Sequence, residues 1–347
     1  MRKSLLTIFI LTLFIASLSW FLGACRKGVI IELHPLTLTI PTGFLQPHDI
    51  FANNPLTEEG FQLGRRLFYD GRLSVDGDHA CASCHQQLAA FGTYQHDRSH
   101  GVHNSHTLRN APVLENLAWQ DSYHWDSAFT SLKEESRQPI TGNVEMGEQM
   151  TAVIVKLRND ASYVKQFRDV FHSSTITIDM IEMALAQFTG SLISADSKYD
   201  RYKKGLATYT VQEENGYQIF KANCATCHPE PMFTDYSYRN IGLLLDNELL
   251  DYGKMRITGL KADSLKFKVP SLRNVYISSN YMHDGRFNTL AQCINHYRTG
   301  VQNSPSLDPL LLSGISLTNA QATDLAVFLR TLTDSAFLSA PRFSKPN

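Results

Sequence analysis

Cys81-Ala-Ser-Cys84-His85 and Cys224-Ala-Thr-Cys227-His228 are the stretches of this chain whose residue types and spacing could do chemistry. In C-x-x-C-H, two thiols can form thioethers to the two vinyl groups of one haem, and the adjacent His can reach the iron as proximal ligand. The chain has six cysteines in all, so two copies of the motif take up most of them. Two other chemistries use the same residues. A redox disulfide usually sits near a βαβ pattern, and none is apparent. A single all-thiolate zinc site would leave the His after each pair without a role. The motifs therefore predict two c-type haems, attached through Cys81, Cys84, Cys224 and Cys227, with His85 and His228 as proximal ligands.

Helices must position these motifs. Thr57 reads as the N-cap of a helix reaching Phe68, and Val211 to Lys221 forms a similar element before the second motif. Gly64-x-x-x-Phe68 and Gly216-x-x-x-Phe220 are an internal echo, with a Gly where another helix can cross closely. Thr151 to Arg158, Ser162 to Phe171 and Thr177 to Ile193 read as helices. The last has Ile181, Ala184, Leu185, Phe188 and Leu192 on one face. Thr318 to Thr333 is another, opened by a capping box of Thr318 with Gln321. Residues 196–212 hold no such run and read as a boundary. Few stretches alternate as strands do, so the fold class is mainly α. After His85 comes a His-rich loop with His96, His100, His103 and His106. An aromatic cluster comes next, with Trp119, Tyr123, His124, Trp125 and Phe129.

The 347 residues suffice for two domains, and the formal net charge is −1. There is no basic tract, and no nucleic-acid partner is expected. At the N-terminus, Arg2 and Lys3 precede an apolar run from Leu5 to Leu22, the pattern of a signal peptide. Leu22-Gly23-Ala24-Cys25 resembles a bacterial lipobox. Lipidation of Cys25 would hold the mature protein on a membrane surface; the other reading is an uncleaved anchor helix. Either way the body is expected outside the cytoplasm, in the periplasm or on the outer cell surface. The expected organisation is a signal peptide over 1–25 and an extended, Pro-rich lead-in over 26–55. An N-terminal haem domain (56–205), a C-terminal haem domain (206–335) and a tail (336–347) come after it.

In order and spacing, several further stretches resemble the bacterial di-haem cytochrome c peroxidase family, which includes the enzyme that matures tryptophan tryptophylquinone. They are Leu63-Gly-Arg-Arg-Leu-Phe-Tyr-Asp70, Arg109-Asn-Ala-Pro112, Trp125-Asp126, Pro139-Ile140, Val144-Glu-Met-Gly147, Phe267-Lys-Val-Pro-Ser-Leu-Arg-Asn274 and Tyr281-Met-His-Asp-Gly285. The resemblance implies two cytochrome c-like domains with one covalent haem each. Peroxide would react at the N-terminal haem, and electrons would enter at the C-terminal one. It makes Glu145 the distal acid–base, since a carboxylate can take a proton from one peroxide oxygen and return it to the other. It makes Trp125 an electron relay between the haems. Asn110 matches a side-chain ligand of an interface calcium ion, and Ser278 and Asn280 match positions supplying it with backbone carbonyls. His100-Gly101 best fits the His that closes the N-terminal haem in members needing reductive activation.

The chain departs from the family pattern at telling places. Trp125-Asp126-Ser127-Ala128 stands where many members read Trp-Asp-Gly-Arg. Glu135 corresponds to a distal Gln, which would put a second carboxylate near Glu145 and raise one pKa. The second axial ligand of the C-terminal haem is typically Met, and its position here is Tyr297, as in the cofactor-maturing branch. Tyrosinate would favour ferric iron. Met282 and His296 are rivals, and Cys293 reads as a small buried hydrophobe. The resemblance implies a peroxidase that reduces hydrogen peroxide with electrons from a small cytochrome c, a cupredoxin or a quinol-linked donor, and it allows a homodimer. The alternatives are oxidation of a protein or small molecule through high-valent iron, with Tyr297 on the haem, or a plain electron carrier, which would need no Glu145. The mass of the purified mature protein should exceed that of its polypeptide by two haems that survive denaturation; a smaller increment would overturn the di-haem reading.

Overall fold

Thr57, Thr177 and Thr318 cap helices as expected, whereas the helix expected from Thr151 begins at Met150. In the computed structural model, which describes residues 31–346, Thr57 accepts from Gly60 N and opens α1 (Glu58–Phe68). Acidic Glu58 and Glu59 lie in its first turn and Arg65 and Arg66 in its last, each favourable to the helix dipole. The signal peptide and Cys25 lie outside the described residues. Contacts divide the chain into Met1–Glu32 and Leu33–Asn347, and both C-x-x-C-H motifs fall within the second unit.

Five more helices carry most of the packing: α2 (Met150–Arg158), α3 (Ala161–Phe171), α4 (Ile178–Thr189), α5 (Val211–Asn223) and α6 (Asn319–Arg330). Capping boxes open α5, with Thr210 and Glu213, and α6, with Thr318 and Gln321. Two crossings organise them. A β-carbon on Gly64 would lie 1.8 Å from Ala184 O, so α1 and α4 touch backbone to backbone. A β-carbon on Gly216 would lie 2.0 Å from Asp324 O, where α5 meets α6. Phe61 and Phe68 pack on Phe188 at the first crossing, and Phe220 packs on Phe328 at the second, with ring centroids 5.1–5.5 Å apart. Each crossing seeds its own apolar core. Strand structure among the described residues is confined to two short antiparallel pairs, His100–Gly101 with Ser105–His106 and Tyr238–Arg239 with Phe267–Lys268.

Four other expectations need adjustment. The helix expected to reach Ile193 ends at Thr189, because the next backbone is taken by Asn116. Asn116 N donates to Leu192 O, and its side chain exchanges hydrogen bonds with both the N–H and the carbonyl of Ser194. Residues 196–212, read as a boundary without an apolar helical run, contain a helix at Lys198–Lys203. Its Tyr199 packs in the second core, ahead of the boundary expected at 205. The segment from 336 is no loose tail: helix Ser335–Ser339 buries Phe337 in the first core, and Gln87 donates to the carbonyls of Phe337 and Ala340. The lead-in is extended but packed, with Leu38, Ile40, Phe44 and Ile50 around Trp119 and Met232.

The two lobes repeat a turn. Tyr123 bridges Phe129 and Tyr281 bridges Phe287, each antiparallel. Left-handed backbone recurs at matched places, at His124 and Met282 and at Ser127 and Gly285. Just before these turns, a buried polar network joins the lobes. Arg273, 1% exposed, clasps Asp200 with both terminal nitrogens at 2.8 and 2.9 Å. The Asn274 side chain donates to Glu115 and to Ser194 Oγ. Glu115 Oε1 is buried with no hydrogen-bond partner, and burial pushes the carboxyl up to about 8 despite the nearby Asn274 and Arg273. An acid raised in the folded state stabilises fully below its unfolded pKa and loses that contribution as pH climbs through the folded value. Thermal stability should therefore fall as pH rises from about 4.5 to about 8. Glu115→Gln should flatten that decline and raise the melting temperature at the alkaline end, as calorimetry across the range would register.

Candidate functional site

Both C-x-x-C-H motifs fold the same way. Cys81–Cys84 is a single helical turn, and Cys224 comes directly after α5. None of the five described cysteines is paired in a disulfide. His85 Nδ1 donates to Phe91 O at 2.8 Å, and His228 Nδ1 donates to Phe233 O at 2.9 Å. Phe91 and Phe233 present these carbonyls from left-handed turns, with φ of 58° and 55°. A carbonyl can only accept, so Nδ1 carries the proton in both rings and Nε2 keeps its lone pair. Burial lowers both imidazole pKa values, which favours the neutral form that binds a metal. These are the requirements of a haem-ligating His with its orienting partner. Among the described residues no group of three or more His, Cys, Asp or Glu could hold a metal ion by itself.

The second motif opens on a cavity of about 470 Å³, within the range of cofactor pockets. Cys224, Cys227 and His228 line it, together with Trp125, Met282 and Tyr297. Tyr297 is presented by helix Leu290–Asn295, capped by Thr289, which runs on into a π-turn over His296–Gly300. Such turns recur at functional sites. His296 points elsewhere, its buried ring bonded to Ile241 O at 2.8 Å. Cys293 is buried and also lines the cavity.

Around the first motif the chemistry is polar. Glu145 Oε2 accepts from Gln138 Nε2 at 2.6 Å. Gly142 makes room, since a β-carbon there would sit 2.6 Å from the same oxygen. Burial raises the Glu145 pKa; Gln138 and His124 pull it down and the Glu135 charge adds to the rise. Glu135 is held 2.8 Å from His124 Nε2. Although burial works against the charged ring, this carboxylate raises the His124 pKa. The charges of Glu135 and His124 reach His85, and that of Glu145 reaches Cys84. Arg137, next to Gln138, is anchored on the fully buried Glu182 at 2.5 and 3.0 Å.

Trp125 joins the two regions. Its indole donates to Asn110 O at 2.9 Å, its carbonyl accepts from Lys268 N at 2.8 Å, and it lines the second cavity. Asn110 Nδ2 donates to Asp97 O and Asn280 Nδ2 to Gly285 O. Asp97 O lies where a β-carbon on Gly285 would be, so the two asparagines flank one crossing. The Ser278 hydroxyl donates to Asn280 O. In the His-rich loop the rings of His96, His100 and His106 cluster, with centroids 4.2–4.3 Å apart. The His100 ring is exposed, and its carbonyl lies 3.9 Å from Cys84 Sγ.

A family model described as di-haem cytochrome c peroxidase matches residues 58–208. The methylamine utilization protein MauG of Methylorubrum extorquens is 35% identical over 283 residues, 80% of this chain and 79% of that protein. The chain belongs to the di-haem cytochrome c peroxidase family. A cytochrome c551 peroxidase of Nitrosomonas europaea is 34% identical over 82% of this chain and 83% of its own. Among solved structures, a MauG-like protein associated with microbial copper homeostasis superposes with a TM-score of 0.84 at 33% identity, covering 90% of this chain and 99% of that one. The diheme peroxidase BthA of Burkholderia thailandensis shares the fold, with a TM-score of 0.70 at 21% identity over 94% and 98% of the two chains. The family implies two c-type haems.

For a member of this family, sequence reading overlooked two residues that touch the expected acid–base pair. Gln138 holds Glu145, and His124 holds Glu135. A signal for His124 was available. Tyr123-His-Trp-Asp aligns with Tyr281-Met-His-Asp, so His124 is the counterpart of Met282, itself a cavity-lining residue.

Proposed function

We infer that this chain is a di-haem peroxidase that reduces hydrogen peroxide to two waters with two electrons from an external donor. The observation that carries the reading is Glu145, a buried carboxyl held by Gln138 beside one of two complete haem-attachment motifs. A plain electron carrier has no use for it. Cys81, Cys84 and His85 would hold one haem in the N-terminal lobe, and Cys224, Cys227 and His228 the other in the C-terminal lobe. Bound haem would relay the donor's electrons and supply the iron at which the O–O bond is cleaved. Glu145 takes the proton from one peroxide oxygen and returns it to the other, and Gln138 fixes the carboxylate for both acts. Trp125, in contact with both lobes, is the electron relay. Glu135 tunes Glu145 through its charge.

Tyr297, which lines the same cavity as His228, would help to hold the C-terminal haem and supply an oxygen ligand to its iron. Burial pushes its phenol far up, so a phenolate there needs a cation beside it. Asn110, with the carbonyls of Ser278 and Asn280, would hold calcium at the interface, and His100 would close the N-terminal haem. The donor is a small cytochrome c, a cupredoxin or a quinol-linked protein. The protein works in the periplasm or at the outer surface, tethered through lipidated Cys25, alone or as a homodimer. Among the described residues no helix is long and apolar enough to cross a membrane. Tyr297 also favours a second reading, oxidation of a protein or small-molecule substrate, which the MauG relatives make the natural alternative.

Glu145→Gln should leave both haems attached and cut peroxide turnover by about 10² or more; near-normal turnover would move the role to another group. Because burial holds Glu145 above the ordinary carboxylate range, the base form should be lost on acidification at a pH above 4.5. Gln138→Leu removes a hydrogen bond that favours the carboxylate, so it should shift this acid limb of the pH–rate profile upward. At the other haem, the ferric protein should lack the near-infrared sulfur-to-iron band of His/Met ligation. Tyr297→Met should introduce that band and raise the haem's potential. Seeing the band in the wild type would transfer the ligand role to a Met, with Met282 in the same cavity.

A further inference from the structure

We propose that His124, held by Glu135, is a second acid at the first-lobe site, supplying from the protein a proton that peroxide reduction consumes. The proposal rests on the peroxidase reading. Each peroxide takes up two protons and two electrons as its O–O bond breaks and two waters form, and the one-electron donor protein supplies the electrons. Glu145 can move the peroxide's own proton between the oxygens, but it adds none to the balance. The two consumed protons have to arrive from elsewhere.

His124 is built for that task. Its Nε2 lies 2.8 Å from Glu135 Oε1. Its left-handed backbone, φ 65°, opens the Tyr123–Phe129 turn, and Phe129 holds the ring edge-on at 5.0 Å. Of the side chain, 23% stays accessible, as a group that takes up protons and passes them on requires. The charged and titratable groups around it are Glu135 on helix Leu132–Glu135, Asp126 on its own turn, Glu145, and His85 on the haem motif. Asp126 is neutralised by Arg109 Nη1 at 2.6 Å, and buried Lys268 also feels Asp126 and Glu135. The close anionic partners therefore outweigh the cations and favour the imidazolium. An imidazolium is a proton donor near neutral pH; after each transfer the ring takes its next proton from solvent, and the Glu135 carboxylate favours that uptake. The matched position in the second lobe is Met282, which cannot donate a proton, so the feature belongs to one lobe only.

The test uses holoprotein variants that keep the hydrogen bond and remove the charge. His124→Gln should keep both haems, lower peroxide turnover by about tenfold or more, and abolish the alkaline limb of the pH–rate profile. Spectroelectrochemistry gives a readout independent of turnover. A titrating imidazolium near the first haem should give its midpoint potential a pH-dependent step, absent in His124→Gln. In Glu135→Gln the same step should survive at lower pH, because the carboxylate that raises His124 is gone. A His124→Gln protein with both haems, wild-type turnover and an unchanged potential–pH curve would overturn the proposal. If Glu145→Gln is inactive in that same series, the peroxidase reading stands and this inference alone fails. A wild type without peroxide turnover would overturn both.

Discussion

At Gly64 the carbonyl of Ala184 occupies the place of any β-carbon, and at Gly216 the carbonyl of Asp324 does the same. Only glycine permits two helices to meet so closely, and the geometry of each lobe hangs on that contact. Once α1 is fixed against α4, Phe61 and Phe68 must lie on Phe188; once α5 is fixed against α6, Phe220 must lie on Phe328. The second haem motif continues straight from α5, so its crossing sets the direction of Cys224 and His228 with little intervening freedom. The first motif is separated from α1 by the loop from Asp70, which is tied down by its own polar contacts. Asp70 accepts from Arg72 and from the buried Tyr163 hydroxyl, and Ser74 Oγ gathers the backbone of Gly77 and His79. A longer connection has been made rigid by hydrogen bonds where a short one is rigid by covalency.

The same frame carries opposite chemistries. Ser131 and Thr289 cap equivalent short helices after equivalent turns. Along these matched segments the first lobe has His124, Glu135 and Gln138, where the second has Met282, Cys293 and His296. The first set forms two hydrogen-bonded pairs with ionisable members. In the second set Met282 and Cys293 line an apolar cavity, and His296 is turned away to a backbone carbonyl. The repeated turn thus carries paired ionisable groups in one lobe and part of an apolar cavity lining in the other. Charges at a catalytic site are costly unless paired, and pairing is what the first lobe provides.

Much of this was legible in the residues. The motif spacing, the helix-crossing glycines and the caps at Thr57 and Thr318 act locally, so the chain itself states them. Long-range demands on the backbone were not legible. The end of α4 depends on Asn116, remote in sequence, claiming the backbone at Ser194. Phe337 is buried because the chain returns to the first lobe after completing the second, and no periodicity in a five-residue helix announces that. His124 and Gln138 sit in stretches without a regular repeat, and their importance comes from partners on other segments. The His-rich loop was noticed for its composition, yet composition could not say that three of its rings would gather while His103 would not.

The peptide His124–Trp125 is where the two lobes' tasks come together. His124 faces the ionisable groups near His85, while Trp125 lines the cavity of Cys224 and His228. The Trp125 carbonyl is bound by Lys268 N and its indole by Asn110 O, so neither residue can shift without disturbing both lobes. Lys268 adds a constraint of its own. Its ammonium is buried beside Gln120 and the Ser122 carbonyl, and burial lowers it to about 8. A positive charge so placed favours the carboxylates of Asp126 and Glu135. In the proposed function, electron movement through Trp125 and proton movement through His124 would involve adjacent residues of one turn. Lys268 would act on that proton path through Glu135, the partner of His124.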